Sequence, residues 1–409
     1  MFSTQINSNY KPHFCADKTN KKAVMSQQNI FFGAGNIFLK LDSDGTYFPS
    51  DDQSILMPEN RNTSAFKRLK NAFEGLNNFF DRFHNNIKFT ITTGRNVGEY
   101  DYWKNLVKNA GINVPIPDKL ITKNGGDSFL KDRQKKLKNG QLEPEWPSSG
   151  YVDNKKREEI RKLTNWDADY IRSSILTSLK DWDLPVLFAQ SGLKDYGAKS
   201  YKQYWESTFK NYCDNLTAFM RDDGDLNFYI GLPINALKDK GNKQAFNLVK
   251  DSIITEITSR LDEKNIKYNL EYRESDWENS GGPGIAITPL INGKPLDKSY
   301  DIAKEIERAK KENDLVIIAG NGINDTPMLN PESYDLNSNN GKPLPMMSIA
   351  IGKEPTLIEL AKKYPEYVIH IDEPHDLLNA VKTAIKRYAE KNNEFRNNLE
   401  PQIAKDIGL

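Results

Sequence analysis

Cysteine and histidine are scarce in this sequence, and their scarcity excludes several kinds of site. Among the 409 residues there are two cysteines, Cys15 and Cys213, and four histidines. Two cysteines cannot build a disulfide framework or a cysteine-based zinc site, and they suit a reducing compartment. The histidines lack the spacing of metal ligands, so we interpret all four as structural.

Long apolar runs and a net charge of one sign are also missing. No apolar run approaches the ~20 residues that cross a bilayer, and polar residues interrupt every apolar stretch near the N-terminus, so no signal peptide is indicated. The 57 basic residues nearly balance the 56 acidic ones, for a net charge of +1. We therefore expect a cytoplasmic protein with neither nucleic acid nor a membrane as a partner.

The residues that are abundant indicate a folded chain. Hydrophobic residues make up 37% of the sequence and aromatic residues 11%, which is enough to fill a core. Because domains have roughly 100–200 residues, this length suggests two or three of them.

Strands and helices alternate in two parts of the chain. After a first apolar strand, Phe66, Leu69, Phe73, Leu76 and Phe80 recur at helical spacing. Such alternation predicts an α/β fold in which helices cover both faces of a Rossmann-like parallel sheet. The predicted strands span 37–41, 87–91, 120–122, 315–319, 347–351 and 367–371.

A long segment interrupts this rhythm and suggests how the chain is divided. Residues 127–290 are too many for a loop, so we interpret them as an inserted α+β cap domain. The core domain would then consist of residues 36–126 and 291–395. We expect a flexible polar tail at 1–35 and a C-terminal tail at 396–409.

Polar residues gather at the carboxyl ends of the predicted strands, the edge at which open α/β sheets bind ligands. Asp42 and Asp44 follow the first strand. One such carboxylate can attack a phosphorus atom, and the other can transfer protons. Gly45 lets the backbone approach a phosphate closely. The alternative is an acidic turn, since Asp-Gly is a common turn pair.

Two further positions offer phosphate-binding groups. Thr93 and Arg95 follow the second strand, where a hydroxyl and a guanidinium can bind a phosphate, although a helix cap is the alternative for this segment. Lys298 lies just before a helix, and its ammonium can neutralise a phosphate and a nucleophile together. Lys294 is a nearby alternative to Lys298.

A fourth cluster offers oxygen ligands. Asn324 and Asp325 follow an apolar strand together with Gly320 and Gly322. Amide and carboxylate oxygens are the hard ligands that Mg²⁺ prefers. A helix cap at the end of the strand is the alternative interpretation.

In order and context, the four clusters resemble the haloacid dehalogenase (HAD) superfamily of aspartyl-nucleophile phosphatases. The resemblance is to the branch with the Cof-type sugar phosphatases and the sucrose-phosphate phosphatases, and it covers the chain from about Asn36 to Ala389. The motifs that carry it are LDSDGT from Leu41, TTGR from Thr92, TKNGG from Thr122, PLDKS from Pro295 and GNGINDTPML from Gly320.

The resemblance implies a role for each matched residue. Asp42 would be the nucleophile and a Mg²⁺ ligand, and Asp44 would be the general acid and base, with its backbone carbonyl on the metal. Thr93 and Lys298 would hold the transferred phosphoryl group. Asn124 would contact the substrate where the cap begins, and Arg95 of the TGR motif is a further candidate substrate-binding residue.

One position departs from the family pattern. The family has an Asp directly after Gly320 that binds Mg²⁺, and here that position is Asn321. An amide oxygen can ligate Mg²⁺ but brings no charge, so metal affinity should fall. Asn321, Asn324 and Asp325 remain the candidate metal ligands of this motif, and Asp325 can compensate for the lost charge.

These residues favour a Mg²⁺-dependent phosphatase that hydrolyses a small phosphorylated metabolite, with a sugar phosphate as the favoured substrate. The reaction would pass through an aspartyl phosphate on Asp42. A HAD phosphomutase shares the core and is one alternative. Another is a degraded member that binds a phosphorylated ligand or a protein partner without catalysis.

Overall fold

The computed structural model describes residues 35–43, 45–47, 53–95, 97–113, 116–122, 125–130, 135–136, 142–143, 153–188, 218–222, 226–232, 243–273, 284–334 and 342–409. All of them belong to the unit Gly33–Leu409. None of the helices within these ranges is both long and apolar enough to cross a bilayer.

Strands are distributed along the described residues. In chain order they are β1 (Ile37–Leu41), β2 (Ile87–Thr92), β3 (Lys119–Thr122), β4 (Asp127–Leu130), β5 (Lys135–Lys136), β6 (Leu142–Glu143), β7 (Val186–Phe188), β8 (Ala218–Asp222), β9 (Phe228–Gly231), β10 (Tyr268–Arg273), β11 (Gly284–Ile291), β12 (Lys294–Pro295), β13 (Leu315–Gly320), β14 (Met346–Ile351) and β15 (Val368–Ile371).

Helices connect these strands. They are α1 (Ser64–Arg82), α2 (Val97–Asn109), α3 (Asn154–Thr164), α4 (Ala168–Asp181), α5 (Lys243–Glu263), α6 (Ser299–Glu312), α7 (Thr326–Leu329), α8 (Pro355–Lys363), α9 (Leu377–Lys391), α10 (Asn393–Asn398) and α11 (Pro401–Asp406). Short 3-10 helices cover Gln53–Leu56, Pro58–Asn60, Ile323–Asp325, Pro331–Tyr334 and Pro374–Asp376.

Seven strands form one sheet in the order β15-β14-β13-β1-β2-β3-β4. The strands from β15 to β3 run parallel, and β4 is antiparallel to β3 at the edge. The predicted α/β fold with a mostly parallel sheet is therefore confirmed. Every residue of β1 and of β13 is buried, as expected for central strands with helices on both faces.

The strand register aligns the carboxyl ends of three neighbouring strands. Leu41 of β1 pairs with Ala319 of β13 on one side and with Ile91 of β2 on the other. The loops that follow these strands, including Asp42 and Thr93, therefore leave the sheet at the same edge.

Helices cover the two faces of the sheet with separate apolar layers. Ile37, Leu39 and Leu41 lie in one buried cluster with side chains of α1 and α9. Phe38 points the other way and lies in a cluster with side chains of α6 and α8. This alternation follows from the two-residue period of a strand.

Lys40 is a charged exception inside this apolar strand. Its side chain is 2% exposed. The ammonium donates to Thr90 Oγ1 at 2.9 Å and to Glu305 Oε1 of α6 at 2.6 Å. Burial lowers the pKa of Lys40, and the nearby Lys119 lowers it further, whereas Glu305 acts in the opposite direction.

A second sheet has the order β10-β11-β9-β8-β7, with β12 paired to β11. Its strands are antiparallel except for β7 and β8. Helices α4 and α5 pack on it, so that Ile171, Ile175, Ile253 and Ile257 share a buried cluster with Phe228 of β9. This sheet and its two helices, hereafter the second lobe, have a hydrophobic core of their own.

The division into core and cap remains a prediction. One strand, β4, lies in the first sheet and not in the predicted cap. Residues Asp127–Leu130 were expected to open the cap. They instead form the antiparallel edge of the first sheet, where Phe129 pairs with Leu120. A four-residue hairpin strand carries too little pattern to be assigned to either sheet from its sequence.

The segment 396–409 is not the tail that we expected, because it contains α11 and part of α10. Its apolar side chains recur every four residues, the spacing of a helical stripe, and they complete the first core. The buried members of this stripe in the segment are Leu399, Ile403 and Ile407, which continue the spacing from Phe395. Pro401 begins α11 and separates it from α10, so the stripe does not lie on one continuous helix. The tail expected at 1–35 lies outside the described residues except for Gly35.

Candidate active site

Asp42 lies at the carboxyl end of β1, in a buried position between two strands. Its backbone N–H donates to the carbonyl of Ala319 at 2.9 Å, which extends the pairing of β1 with β13 by one residue. The following turn contains Gly45, whose φ of +66° is in the left-handed region that favours glycine. Asp44 lies outside the described residues.

A buried lysine joins two of the predicted site residues. The Lys298 ammonium donates to Asp42 Oδ1 at 2.7 Å and to Asp325 Oδ1 at 2.6 Å. All three side chains are buried. The alternative Lys294 is exposed in the hairpin strand β12. Three residues from distant parts of the sequence thus form one ionic cluster, and Lys298 is the lysine at this edge.

The ionic cluster keeps Lys298 charged. Burial by itself would lower the pKa of Lys298, but the Asp325 and Asp42 carboxylates outweigh it and raise the pKa above its ordinary value. A permanent cation between two carboxylates is a suitable place to receive the negative oxygens of a phosphate.

Asp325 also fixes the loop after β13. Its second oxygen, Oδ2, accepts hydrogen bonds from the backbone N–H groups of Asn321 at 2.9 Å and of Gly322 at 3.0 Å. The loop closes so tightly that a Cβ at Gly320 would come within 2.7 Å of the Asp325 side chain. Both oxygens of Asp325 are therefore engaged by groups of the protein, which makes it a positioning group for Lys298 and this loop.

Thr93 is the hydroxyl of the second predicted cluster, and it contacts the loop of Asp42. Its Oγ1 accepts hydrogen bonds from Ser43 Oγ at 2.7 Å and from the backbone N–H of Arg95 at 3.1 Å. The backbone N–H of Thr93 donates to Ile121 at 2.8 Å. Because its oxygen accepts twice from the described residues, the hydroxyl proton of Thr93 can be donated to a ligand.

Arg95 is largely buried beside this hydroxyl. Its guanidinium carbon lies 5.5 Å from the ring centre of Trp103 in α2. A guanidinium on an aromatic face is held in a defined place by cation–π attraction. The structure therefore brings Arg95 to the end of β2, next to Thr93.

Asn321 lies directly on the turn that follows Asp42. Its Oδ1 accepts a hydrogen bond from Thr46 Oγ1 at 3.2 Å. A Cβ at Gly45 would come within 2.2 Å of Asn321 Nδ2. The Asn321 amide thus packs where only a glycine leaves room for it.

Two other predicted residues are not brought into the ionic cluster. Asn324 is exposed, whereas its neighbour Asp325 is fully buried. Asn124 lies outside the described residues, but Gly125 after it has a φ of +100°, and a Cβ there would come within 2.6 Å of the carbonyl of Asp297. The loop after β3 therefore reaches the residue that precedes Lys298.

The donors at this edge fit a hard divalent cation in kind. Asp42 and Asn321 offer carboxylate and amide oxygens, which suit Mg²⁺. Among the described residues there is no group of three or more His, Cys, Asp or Glu side chains that could hold a metal ion. A cation here would be bound mainly by amide and backbone oxygens, with few charged ligands. We therefore expect this site to bind Mg²⁺ weakly.

Two residues of the site were not predicted from the sequence. Ser43 connects Asp42 to Thr93, and Thr46 holds Asn321. Both belong to the turn that starts at Asp42, so their place in the motif was a usable signal. Serine and threonine are common in turns, however, and nothing local distinguishes a hydroxyl that contacts another strand end.

Comparisons with known proteins return only distant similarity. No protein-family model matches the chain, and no curated protein matches it. Among solved structures, the chain is similar to the sucrose-phosphatase from Synechocystis sp. PCC6803, in complex with sucrose and phosphate, with 12% identity, a TM-score of 0.42, and coverage of 86% of this chain and 98% of that chain. A haloacid dehalogenase-like hydrolase protein from Bacillus subtilis is similar with 13% identity and a TM-score of 0.42, over 86% of this chain and 93% of that chain.

Proposed function

We propose that this protein is a Mg²⁺-dependent phosphatase of the HAD type that hydrolyses a small phosphorylated metabolite. The observation that carries the proposal is the buried Lys298 ammonium between Asp42 and Asp325, at 2.7 and 2.6 Å. Asp42 would be the charged nucleophile and Lys298 the phosphate-binding cation, at the sheet edge where ligands bind. The motif order around these residues supports the same reaction.

In the first half of the reaction, a carboxylate oxygen of Asp42 attacks the phosphorus atom in line with the leaving oxygen. The bond from Asp42 to phosphorus forms, the bond to the leaving oxygen breaks, and Asp44 donates a proton to that oxygen. Asp44 has this role by resemblance only. Lys298 stays protonated throughout and offsets the charge of the phosphoryl oxygens.

In the second half, water attacks the phosphorus atom of the aspartyl phosphate. Asp44 takes the proton of the water, the bond between Asp42 and phosphorus breaks, and inorganic phosphate leaves. The Thr93 hydroxyl donates a hydrogen bond to a phosphoryl oxygen in both halves. When bound, Mg²⁺ would be held by oxygens of Asp42, Asn321 and the Asp44 backbone and would supply charge neutralisation.

The second lobe is proposed to act as the cap that sets substrate choice. A cap that closes over the strand ends excludes water from the aspartyl phosphate and can recognise the rest of the metabolite. Sugar phosphates are the favoured class, with Arg95 and Asn124 as the proposed contacts near the cap. This assignment rests on the resemblance to sugar phosphatases and not on a contact of the second lobe.

A panel of phosphorylated metabolites, assayed for phosphate release with and without Mg²⁺, tests the proposal. We expect Mg²⁺-dependent release from at least one sugar phosphate in the wild type and none in Asp42→Asn. Lys294→Met, which removes an exposed lysine, is the matched control and should keep full activity. Release that survives Asp42→Asn would show that this carboxylate is not the nucleophile.

Asn321 favours a second candidate, a protein that binds a phosphorylated ligand or a protein partner without hydrolysis. Loss of a charged metal ligand weakens the site that catalysis requires. Binding of the same metabolites with no phosphate release at saturating Mg²⁺ would select this candidate. Transfer of the phosphoryl group within a sugar, dependent on a bisphosphate activator, would select a phosphomutase.

A further inference from the structure

A second buried ion pair lies one turn along α6 from Lys298. Asp301, three residues after Lys298, is buried and accepts a hydrogen bond from the Lys156 ammonium. Lys156 belongs to α3 and also donates to Ser128 Oγ at 3.2 Å. The Lys119 ammonium lies 3.8 Å from the second oxygen of Asp301. The Asp301 carboxylate therefore lies between the ammonium groups of Lys156 and Lys119.

The two lysines keep Asp301 ionised. Burial would raise the pKa of Asp301, but Lys156 and Lys119 outweigh it and lower the pKa to about 2. A full negative charge is thus present in the first turn of the helix that carries Lys298. The side chains around Asp301 determine which lysine pairs with its carboxylate.

Three carboxylates surround the start of α6 near Lys298. Residues three apart on a helix are neighbours, and Lys298 has helical backbone angles, with φ −60° and ψ −23°. Asp301 is therefore a neighbour of Lys298 on the helix, besides the Asp42 and Asp325 carboxylates that the ammonium contacts. In the structure the Lys298 ammonium pairs with the latter two, while Lys156 occupies Asp301.

We propose that Lys156 is a positioning residue for Lys298. Together with Lys119, Lys156 neutralises Asp301 and so leaves the Lys298 ammonium to Asp42 and Asp325. Lys156 lies in the segment that we interpret as the cap, so this segment would supply a group needed to set the phosphate-binding cation. The catalytic meaning of the inference rests on the proposed phosphatase function.

The same two helices offer a matched control. Glu159 of α3 and Lys304 of α6 form an ion pair at 2.7 Å, with both side chains about half exposed. Glu159→Gln breaks this pair and loosens the contact between the helices, but it leaves Lys156 on Asp301. A variant at Lys156 and a variant at Glu159 therefore separate charge competition from simple attachment of the helices.

The kinetic experiment uses para-nitrophenyl phosphate, a generic phosphomonoester, and the full chain. Lys156→Met should lower kcat by about tenfold or more, which corresponds to about 1.4 kcal/mol, with a smaller change in KM. Adding Asp301→Asn to Lys156→Met should restore kcat to within about threefold of the wild type, since the competing charge is gone. Glu159→Gln should leave kcat unchanged.

Opposite results overturn the inference. If the double variant is no faster than Lys156→Met, Asp301 does not compete for Lys298. If Glu159→Gln is as slow as Lys156→Met, the helix contact and not the charge matters. Should Lys156→Met fail to fold, Lys156→Gln, which keeps a donor for Asp301 without the charge, takes its place with the same expected rescue.

A crystal structure of Lys156→Met tests the inference without any activity. We expect the Lys298 ammonium to move from Asp42 onto Asp301, to within about 3 Å of its carboxylate. An ammonium that stays on Asp42 overturns the inference. If the wild type hydrolyses no phosphomonoester, the proposed function fails, and this structure still decides whether Lys156 directs Lys298.

Discussion

The Lys298 ammonium lies 2.7 Å from the Asp42 carboxylate, although 256 positions separate the two residues in the sequence. Asp42 belongs to the end of β1, and Lys298 begins α6, so the pair forms only when the two parts of the sheet have come together. The second lobe lies within this interval of the sequence. A cation and a carboxylate brought together in this way exist only in the folded core.

Asp42→Asn is expected to abolish phosphate release while the fold persists. The change removes the attacking oxygen's charge but keeps the size of the side chain, and Lys298 retains its bond to Asp325. The measurement is the rate with para-nitrophenyl phosphate and Mg²⁺, beside the melting temperature. A variant that retains more than about a hundredth of the wild-type rate would exclude Asp42 as the nucleophile.

Lys298→Met should reduce both stability and activity. It leaves Asp42 and Asp325 buried without their common cation, and breaking a buried pair in this way costs about 3–5 kcal/mol. Chemical denaturation and the phosphatase rate measure the two effects. Lys294→Met, four residues earlier and exposed, should change neither by a measurable amount. Equal effects at the two positions would contradict the assigned role of Lys298.

The charge state of Lys298 also makes a prediction about pH. Because its pKa is raised in the folded protein, the stability that Lys298 contributes is complete below its ordinary pKa and is lost only as pH rises through the raised value. We therefore expect no loss of rate or stability from this residue between about pH 5 and pH 9. A basic decline of the wild-type rate in this range would have to come from another group.

Asn321→Asp should tighten the binding of Mg²⁺. The change adds a carboxylate beside the turn of Asp42, where Thr46 and Gly45 hold the side chain. One added charge near a divalent cation is expected to be worth about tenfold or more in affinity, and tenfold is about 1.4 kcal/mol. Activity measured against Mg²⁺ concentration should rise at limiting metal.

Asn324→Asp provides the comparison for Asn321→Asp. It adds the same charge in the same loop but on an exposed side chain. We expect its Mg²⁺ curve to follow the wild type. If Asn324→Asp shifts the dependence of activity on Mg²⁺ concentration and Asn321→Asp does not, Asn324 and not Asn321 is the metal ligand of this motif.

Asp314→Asn should stabilise the protein at neutral and alkaline pH. Asp314 is fully buried before β13, and burial raises its pKa to about 6 although Asn36 donates two hydrogen bonds to it. The folded protein then holds a proton between about pH 4 and pH 6 that the unfolded chain has lost, so stability falls as pH rises through this window, by roughly 2–3 kcal/mol. The neutral Asn avoids this loss.

Melting temperatures at two pH values check this prediction. Asp314→Asn should melt higher than the wild type at pH 8 and no higher at pH 4, where Asp314 is protonated. Since Asp314 is at the amino end of β13, away from the edge with Asp42, the phosphatase rate should not change. A difference in melting temperature that is the same at both pH values would contradict the raised pKa.

Most of the first sheet was predictable because its strands carry a local signal. The strand 315–319 is a continuous apolar run and 37–41 is apolar apart from Lys40, and the structure confirms both within one residue. The edge strand β4 and the helices after Asn392 were not predicted correctly. Each is short, and each acquires its structure from the sheet or core that it packs on.

The site was predictable to the extent that residues sit at strand ends. Asp42, Lys298 and Asp325 were expected to meet, and they do. The contact of Lys156 with Asp301 was not foreseen, because Lys156 is one of 57 basic residues and nothing in its neighbours distinguishes it. Which carboxylate a given lysine pairs with depends on tertiary packing, and a single sequence does not reveal that packing.

The lysine inside β1 has a consequence for how the central strand finds its alignment. Side chains alternate along a strand, so a slip by one residue would turn Lys40 into the apolar layer of Ile37 and Leu39. It would lose Thr90 and Glu305 and leave an uncompensated charge, at a cost of about 3–5 kcal/mol. An all-apolar β1 could pair out of register without this penalty. Lys40 therefore disfavours misaligned pairings of β1 while the sheet is assembling.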